Sequence, residues 1–327
     1  MKKAILKGII LGIIFTAALM LISAVMNQGN TDMTTEMAEP SYPIVSMSAE
    51  GYRVNSLHGY AEAMDSAYLR ETVQPVGSDR KLAVHLDTYG RSISGISFEV
   101  RSLNGDRLVE STNVEEYERS DEAIDFTITL KDLIEDDTEY MLVFLITPEG
   151  AEPIRYYTRI VLSDTLHIQE KLDYIADFHE RTFDKEEAAE LTKYLESNSE
   201  GDNTTFHKVT IHSSFNQITW GDLAVNKITE ADIIIKDLTE QTGSFCMEYL
   251  ASVRDGRSRN YYRISEYYRI RYTPDRMYLL DYERTMEQIF DEDANVCIND
   301  KIMLGITGDD VRLVESDGGN VFAFSAA

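Results

Sequence analysis

Cysteine is nearly absent: Cys246 and Cys297 are the only two in 327 residues. A disulfide-built fold is thereby excluded, which leaves either one bridge between them outside a cell or two isolated buried thiols. Basic residues are scarce as well, 31 Lys and Arg against 57 Asp and Glu, for a net charge of −26. Such a surface repels nucleic acid and anionic lipid headgroups, so no nucleic-acid partner is expected. The common catalytic signatures are missing. Gly90-Arg91-Ser92-Ile93-Ser94-Gly95 lacks the spacing of a nucleophile elbow, and there is neither a phosphate loop nor a dinucleotide fingerprint. Neither cysteine has a histidine or a basic helix start close in sequence to lower its pKa.

Histidine is limited to His58, His85, His167, His179, His207 and His212, and none forms a ligand pair at helical spacing. His179-Glu180 lacks the second histidine of a zinc helix, and His207 and His212 face opposite sides of a strand. Asp291-Glu292-Asp293-Ala294-Asn295 opens like a calcium loop, but Val296 stands where glycine must turn and Ile302 where a bidentate glutamate is needed. Paired carboxylates could serve a glycosidase, yet among 57 acidic residues a pair singles out nothing. No catalytic residue, metal site or cofactor is therefore expected.

What is present begins with apolar residues at 43% and aromatics at 10%, enough for folded cores despite the charge. The length suits two or three domains. Lys2, Lys3 and Lys7 precede an uncharged run, 8–26, and the first charges after it are Asp32, Glu36 and Glu39. As a helix that run would reach about 28 Å, close to the ~30 Å of a hydrocarbon core. The expectation is one transmembrane helix at 8–26 as the contact with the lipid bilayer. A cytoplasmic tail, 1–7, would precede it, and the bulk of the chain would be extracytoplasmic by the positive-inside rule. A cleaved signal peptide is the rival, with its best site after Ala24, where Ile22 is a poor small residue. Residues 27–42, polar and without period, read as a flexible stalk.

From 43 to 162 the pattern is β. Leu82, Val84 and Leu86 alternate with other residues, as do Ile96, Phe98 and Val100, and Ile124, Phe126, Ile128 and Leu130. Asn104-Gly105 is the preferred two-residue hairpin turn, and Pro148-Glu149-Gly150 marks another. Short strands with regular turn signals argue a β-sandwich. Within it, Ile134-Glu135-Asp136-Asp137-Thr138-Glu139-Tyr140 leads into an alternating strand, with the apolar residue six before the tyrosine. This stretch resembles the corner before the penultimate strand of fibronectin type III domains. The resemblance implies that the Tyr140 hydroxyl closes the corner on upstream backbone and that Ile134 is its buried partner. The only tryptophan is Trp220, so the family's early-strand tryptophan is absent. The resemblance thus stays at fibronectin-III-like or immunoglobulin-like, over roughly residues 66–163, and speaks to fold rather than function.

Residues 163–198 switch to helical spacing and read as a helical hairpin linker. Ser163-Asp164 caps a first helix carrying Ile168, Leu172 and Ile175, and Asp184 opens a second. Residues 199–292 return to β and read as a small α+β domain with an antiparallel sheet, built on a long hairpin at 261–282 that turns at Pro274-Asp275. A short helix is expected at 283–290. The tail, 293–327, alternates again but is too short for its own core, and reads as a β-hairpin that either packs on the preceding domain or begins a further one, such as a propeller blade. The chain as a whole is thus a mainly β multidomain protein with one N-terminal transmembrane helix.

Between Arg254 and Arg284 stand eight arginines and seven tyrosines against five acidic residues, a positive stretch in an acidic chain. Tyr261, Arg263, Tyr267, Arg269 and Arg271 are the candidate binding residues, since exposed Tyr/Arg surfaces make hot spots and arginine clusters grip phosphate or carboxylate. The bland alternative makes the tyrosines core and lets the arginines neutralise the chain's own carboxylates. The function expected is non-enzymatic binding or scaffolding at a bacterial cell envelope, with a cell-wall polymer or another envelope protein as partner. A wall-active hydrolase whose catalytic part lies elsewhere, or a plain spacer, are the alternatives.

Overall fold

Alternation of apolar and polar residues makes a strand with one buried face. The computed structural model of the protein describes residues 38–255 and 258–289, together with 7, 12, 15–20 and 22, and the backbone of four short strands further on. The chain divides into two units, Met1–Met37 and Ala38–Ala327.

The transmembrane helix expected at 8–26 is not supported. Among the described residues no helix is long and apolar enough to cross a membrane. The longest described helical run there is 15–20, about 9 Å of helix where a span needs about 20 residues. Apart from Gly12 and Ile22, the rest of 8–26 lies outside the described residues, as do stalk residues 27–37 and the acidic segment 291–296. Of the 293–327 tail, Cys297–Ile298 pairs with Lys301–Ile302 and Val311–Glu315 with Phe322–Ala326; its side chains lie outside the described residues.

The first ten strands are β1 (Pro40–Ala49), β2 (Tyr52–Tyr60), β3 (Val73–Val76), β4 (Lys81–Asp87), β5 (Ile93–Ser102), β6 (Leu108–Asn113), β7 (Glu118–Arg119), β8 (Ala123–Thr129), β9 (Glu139–Pro148) and β10 (Ile154–Leu162). They make two layers, β2-β1-β4-β8-β7 and β6-β5-β9-β10-β3. Every second side chain points between the layers, so that Leu82, Val84, Leu86, Phe98, Phe126 and Phe144 share one core. Phe126 and Phe144 meet edge to face at 6.2 Å, the arrangement ring quadrupoles favour. This part of a mainly β molecule is β-sandwich-like. At the corner before β9, Ile134 and Tyr140 are buried, and the Glu135 N–H donates to the Tyr140 hydroxyl at 3.2 Å. The Asn104-Gly105 signal does mark a turn, and Gly105 has φ +75°. The β5–β6 loop nevertheless spans 103–107 rather than two residues, the pairing of the two strands shifting register between Val100 and Arg101, and the Arg101 guanidinium donates into it to the Gly105 carbonyl at 3.2 Å.

The second half comprises α1 (Ile168–Arg181), a 3-10 helix (Glu187–Tyr194), β11 (Lys208–Thr210), α2 (Phe215–Ile218), β12 (Val225–Lys227), β13 (Asp232–Leu238), β14 (Thr242–Asp255), β15 (Ser258–Tyr272) and β16 (Met277–Gln288). The strands β13, β14, β15, β16 and β11 neighbour one another in that order, all antiparallel. Helix α1 buries Leu172, Ile175 and Phe178 at helical spacing against Phe245, Tyr268, Ile270 and Tyr282 of the sheet. It starts at Ile168 with His167 as N-cap. The expected cap at Ser163-Asp164 does not form, because Asp164 accepts the Ser78 N–H of the sandwich at 2.9 Å. The Lys171 ammonium of α1 is buried and donates to the carbonyls of Leu166, Thr239, Glu240 and Thr242 at 2.7, 2.5, 3.1 and 3.2 Å, fastening the β13–β14 turn to the helix. The helix expected at 283–290 does not form over 283–288, which is instead the end of β16, and residue 290 lies outside the described residues. Tyr282, Arg284 and Met286 alternate inward, and β11 pairs with residues 283–285.

The two halves are joined through their sheets. Val54 of β2 pairs in parallel with Ile233 of β13. Beside it Asn55, buried and at φ +57°, donates to the Val73 carbonyl and to Gln74 Oε1, both at 3.0 Å, and accepts the Ile235 N–H at 2.8 Å. Asn tolerates that left-handed backbone better than most residues. Across the same joint Arg159 Nη2 donates to the Lys236 carbonyl at 2.6 Å. Replacing Asn55 with Ala leaves two buried acceptors and a buried N–H without partners, each costing about 1–3 kcal/mol. Urea unfolding of Asn55→Ala should therefore show a loss of roughly 3 kcal/mol or more; a loss below about 1 kcal/mol would remove Asn55 as the fastener of the joint.

Candidate functional site

Strand β15 is two-faced because its side chains alternate, and its inner positions are the buried ones. Ile264, Glu266, Tyr268 and Ile270 face the core. The odd-numbered residues face out: Tyr261 is 44% exposed, Arg263, Arg269 and Arg271 are exposed, and Tyr267 is half-buried. All five candidate residues thus lie on one face of one strand. They form a row rather than a pocket, since Tyr261 and Arg271 are about 33 Å apart at ~3.3 Å per residue.

Cross-strand neighbours set the local charge. Arg263 is directly opposite Glu287, Tyr267 opposite Glu283, and Arg269 opposite Asp281 on β16. Glu283 is itself bound to Lys208 of β11 at 2.8 Å. On the β14 side the same residues face Leu250, Cys246 and Ser244, and the Tyr267 hydroxyl approaches Ser244 Oγ at 3.4 Å. Burial pushes the Cys246 thiol above its ordinary value, so it is held as thiol. Arg271 differs from the rest. Its opposite is Tyr278, whose ring it overlies at 4.8 Å, and Arg276 of the hairpin turn overlies the same ring at 4.1 Å.

Directly behind this face is a charged group that alternation alone puts inside. Glu266 is 0% exposed. It receives the Tyr249 hydroxyl at 2.8 Å, the Tyr268 hydroxyl at 2.5 Å, and lies 3.0 Å from His179 Nδ1 of α1. Arg284, also fully buried, is its direct opposite on β16. The guanidinium donates to the carbonyls of Ile218 and Gln217 at 2.9 and 2.7 Å and lies 3.3 Å from the Trp220 ring centre. Burial by itself would raise the Glu266 carboxyl. His179, Arg284 and the Tyr268 hydroxyl together outweigh burial and hold it down at about 2. Burial, and then the Glu266 charge, push both Tyr249 and Tyr268 above the usual phenol range.

Several clefts lie elsewhere among the described residues. One of about 480 Å³ sits on the sandwich beside Arg101, Arg155 and Tyr157. Another, about 270 Å³, lies at the joint of the halves between Tyr60, Tyr157, Glu71, Asp232 and Glu248. There burial pushes the Asp232 carboxyl up despite the Ser56 hydroxyl it accepts at 2.8 Å. Among the described residues no group of three or more His, Cys, Asp or Glu side chains is placed to hold a metal ion. Of the residues on and beside this face, Arg276 and Tyr278 escaped sequence reasoning. The Pro274-Asp275 turn that fixes the register was visible, and counting back from it would have set Tyr278 against Arg271. No family model and no curated protein matches the chain.

The linkage sign for Glu266 is fixed by its depressed value. Its contribution is fully present above the unfolded carboxyl, near 4.5, and is lost as pH falls through about 2. That interval corresponds to about 3 kcal/mol. Denaturant melts taken from pH 5 to pH 2.5 should therefore show a smaller acid loss for Glu266→Gln than for the parent chain, on top of lower stability at pH 7. Parallel acid profiles would show that the carboxylate is not what titrates.

Proposed function

We propose that the chain is a non-enzymatic binding module that presents the outer face of β15 to an anionic partner at a bacterial cell envelope. The observation that carries this reading is the exposure of Arg263, Arg269 and Arg271 on one face, in a chain whose net charge is −26. An acidic protein gains little from a row of outward guanidiniums unless something negative meets them, and guanidinium forks suit phosphate and carboxylate. Tyrosines in the same row supply contact area at small entropic cost. Carboxylates opposite two of the arginines support the competing view that the row serves only the sheet. Retention on the partner decides between the two.

The sandwich is, in this proposal, a fibronectin-III-like or immunoglobulin-like domain that positions the binding half. Support comes from the Tyr140 corner, whose hydroxyl takes the Glu135 N–H. Tyr140→Phe should lower stability by about 1 kcal/mol in urea melts, and an unchanged midpoint would deprive the corner of that role.

For the face itself, Arg263, Arg269 and Arg271 are replaced together by Ser, and retention is measured on immobilised polyglycerol phosphate and on poly-L-glutamate. The parent chain should be retained on at least one of the two, and the variant should lose that retention about tenfold or more. Equal retention of a variant with unchanged circular dichroism and melting would overturn the reading.

A further inference from the structure

The arginines of the outer face are not equivalent. Arg263 and Arg269 each stand directly opposite a carboxylate, Glu287 and Asp281. Arg271 and Arg276 instead share the ring of Tyr278, at 4.8 and 4.1 Å from its centre. Neither makes an ion pair within 4.0 Å among the described residues. Asp275, next to Arg276 in the turn and exposed, is the nearest carboxylate in sequence. Two guanidinium carbons on one ring are less than 9 Å apart. Like charges held that close repel, and the repulsion is relieved when a multivalent anion joins them.

The hairpin tip is also held in place. The Thr273 hydroxyl donates to the Arg276 carbonyl at 2.7 Å and accepts its N–H at 3.2 Å. Tyr272, one residue from Arg271, stacks on His167 at 3.9 Å and 16°, and its N–H donates to the Gln241 carbonyl at 2.7 Å. Thr242, opposite Arg271 on β14, belongs to the turn that Lys171 grips through its carbonyls. The backbone under both arginines is therefore tied to α1 and to the β13–β14 turn, and cation–π contact orients the guanidiniums themselves. Preorganised donors of this kind lose little entropy on binding.

We propose that Arg271, Arg276 and Tyr278 form a phosphate clamp at the β15–β16 tip, taking two adjacent phosphates. This deepens the reading of the β15 face given above and rests on it. The spacing favours a diphosphate, or successive phosphodiesters of a polymer, over a single carboxylate, because each fork then meets its own oxyanion.

The test uses the full chain with sodium pyrophosphate in calorimetric titration, and immobilised polyglycerol phosphate and poly-L-glutamate for retention. Arg271→Gln and Arg276→Gln should each weaken phosphate binding about tenfold, as loss of a charge-assisted pair does, and Arg107→Gln, exposed on the sandwich and away from this face, should change it less than about twofold. Arg276→Lys, which keeps the charge but not the fork, should fall between parent and Arg276→Gln. Pyrophosphate binding identifies a free diphosphate as sufficient, and retention on polyglycerol phosphate alone identifies the polymer as the source; either supports the clamp if Arg271 and Arg276 carry it. If Arg263→Gln and Arg269→Gln abolish retention while Arg271→Gln and Arg276→Gln do not, the face reading stands and the clamp is overturned. Binding to poly-L-glutamate but to neither phosphate probe also overturns it. If no arginine variant changes retention on any probe, the clamp and the face reading fall together.

Discussion

A carboxylate removed from water has to be compensated by its surroundings, and in this protein Glu266 imposes that condition on the whole second half. Moving such a charge into a protein interior costs several kcal/mol before partners are counted. Its partners come from four elements: His179 on α1, Tyr249 on β14, Tyr268 on β15 itself and Arg284 on β16. Helix α1, β14 and β15 are consequently tied at Glu266 by hydrogen bonds as well as by packing, and Arg284 adds its charge from the opposite position on β16. Arg284 carries the constraint further, because its two terminal nitrogens hold the carbonyls of Gln217 and Ile218 and its plane lies on Trp220. The short helix α2 and the Trp220 cluster are thus attached to the sheet through the counter-charge of Glu266.

The joint between the halves follows the same logic with neutral groups. Asn55 sits in a backbone conformation that few side chains accept, and it satisfies β3 and β13 at once. Arg159 reaches from β10 to the Lys236 carbonyl while also binding Glu139 at 3.0 Å. Buried polar contacts of this sort are directional, so they select one juxtaposition of two sheets where apolar packing alone would accept several. Lys171 does likewise for the β13–β14 turn. Three of the polar side chains that would be hardest to accommodate in an apolar core, Asn55, Lys171 and Glu266, are therefore the ones that set the geometry.

Legibility in the sequence tracked how local the signal was. Strands with one buried face were readable from alternation, as at Leu82, Val84 and Leu86, and the long β15–β16 hairpin followed from its Pro274-Asp275 turn. The face of α1 was readable from Leu172 and Ile175. What escaped depended on distant partners. The Asp164 carboxylate looks like a cap locally but is claimed by Ser78. Residues 283–288 carry acidic and apolar residues that suit a helix start, yet that stretch is strand, and β11 pairs with 283–285 of it. The uncharged run at 8–26 matched a bilayer in length, but length and hydropathy describe only what a helix would span once formed, and the described residues hold no such helix. On the face, the candidates Arg263, Arg269 and Arg271 were legible as an alternating set. Their inequality was not, because it depends on whether β16 sets Glu287, Asp281 or Tyr278 opposite each one.

Inside and outside of β15 are coupled by the two-residue period of a strand. A slip of one residue against β16 would turn Arg263 and Arg269 into the core and Ile264 and Tyr268 into solvent. A slip of two keeps the faces but sets Glu266 opposite Tyr282 or Met286 instead of Arg284, which leaves a buried charge without its counter-charge. The apolar pattern therefore excludes odd slips and the Glu266–Arg284 pair excludes even ones. The same register puts Arg271 on Tyr278 and Arg269 opposite Asp281. The arrangement of guanidiniums offered to a partner is in that sense decided from within, by a carboxylate the partner never touches.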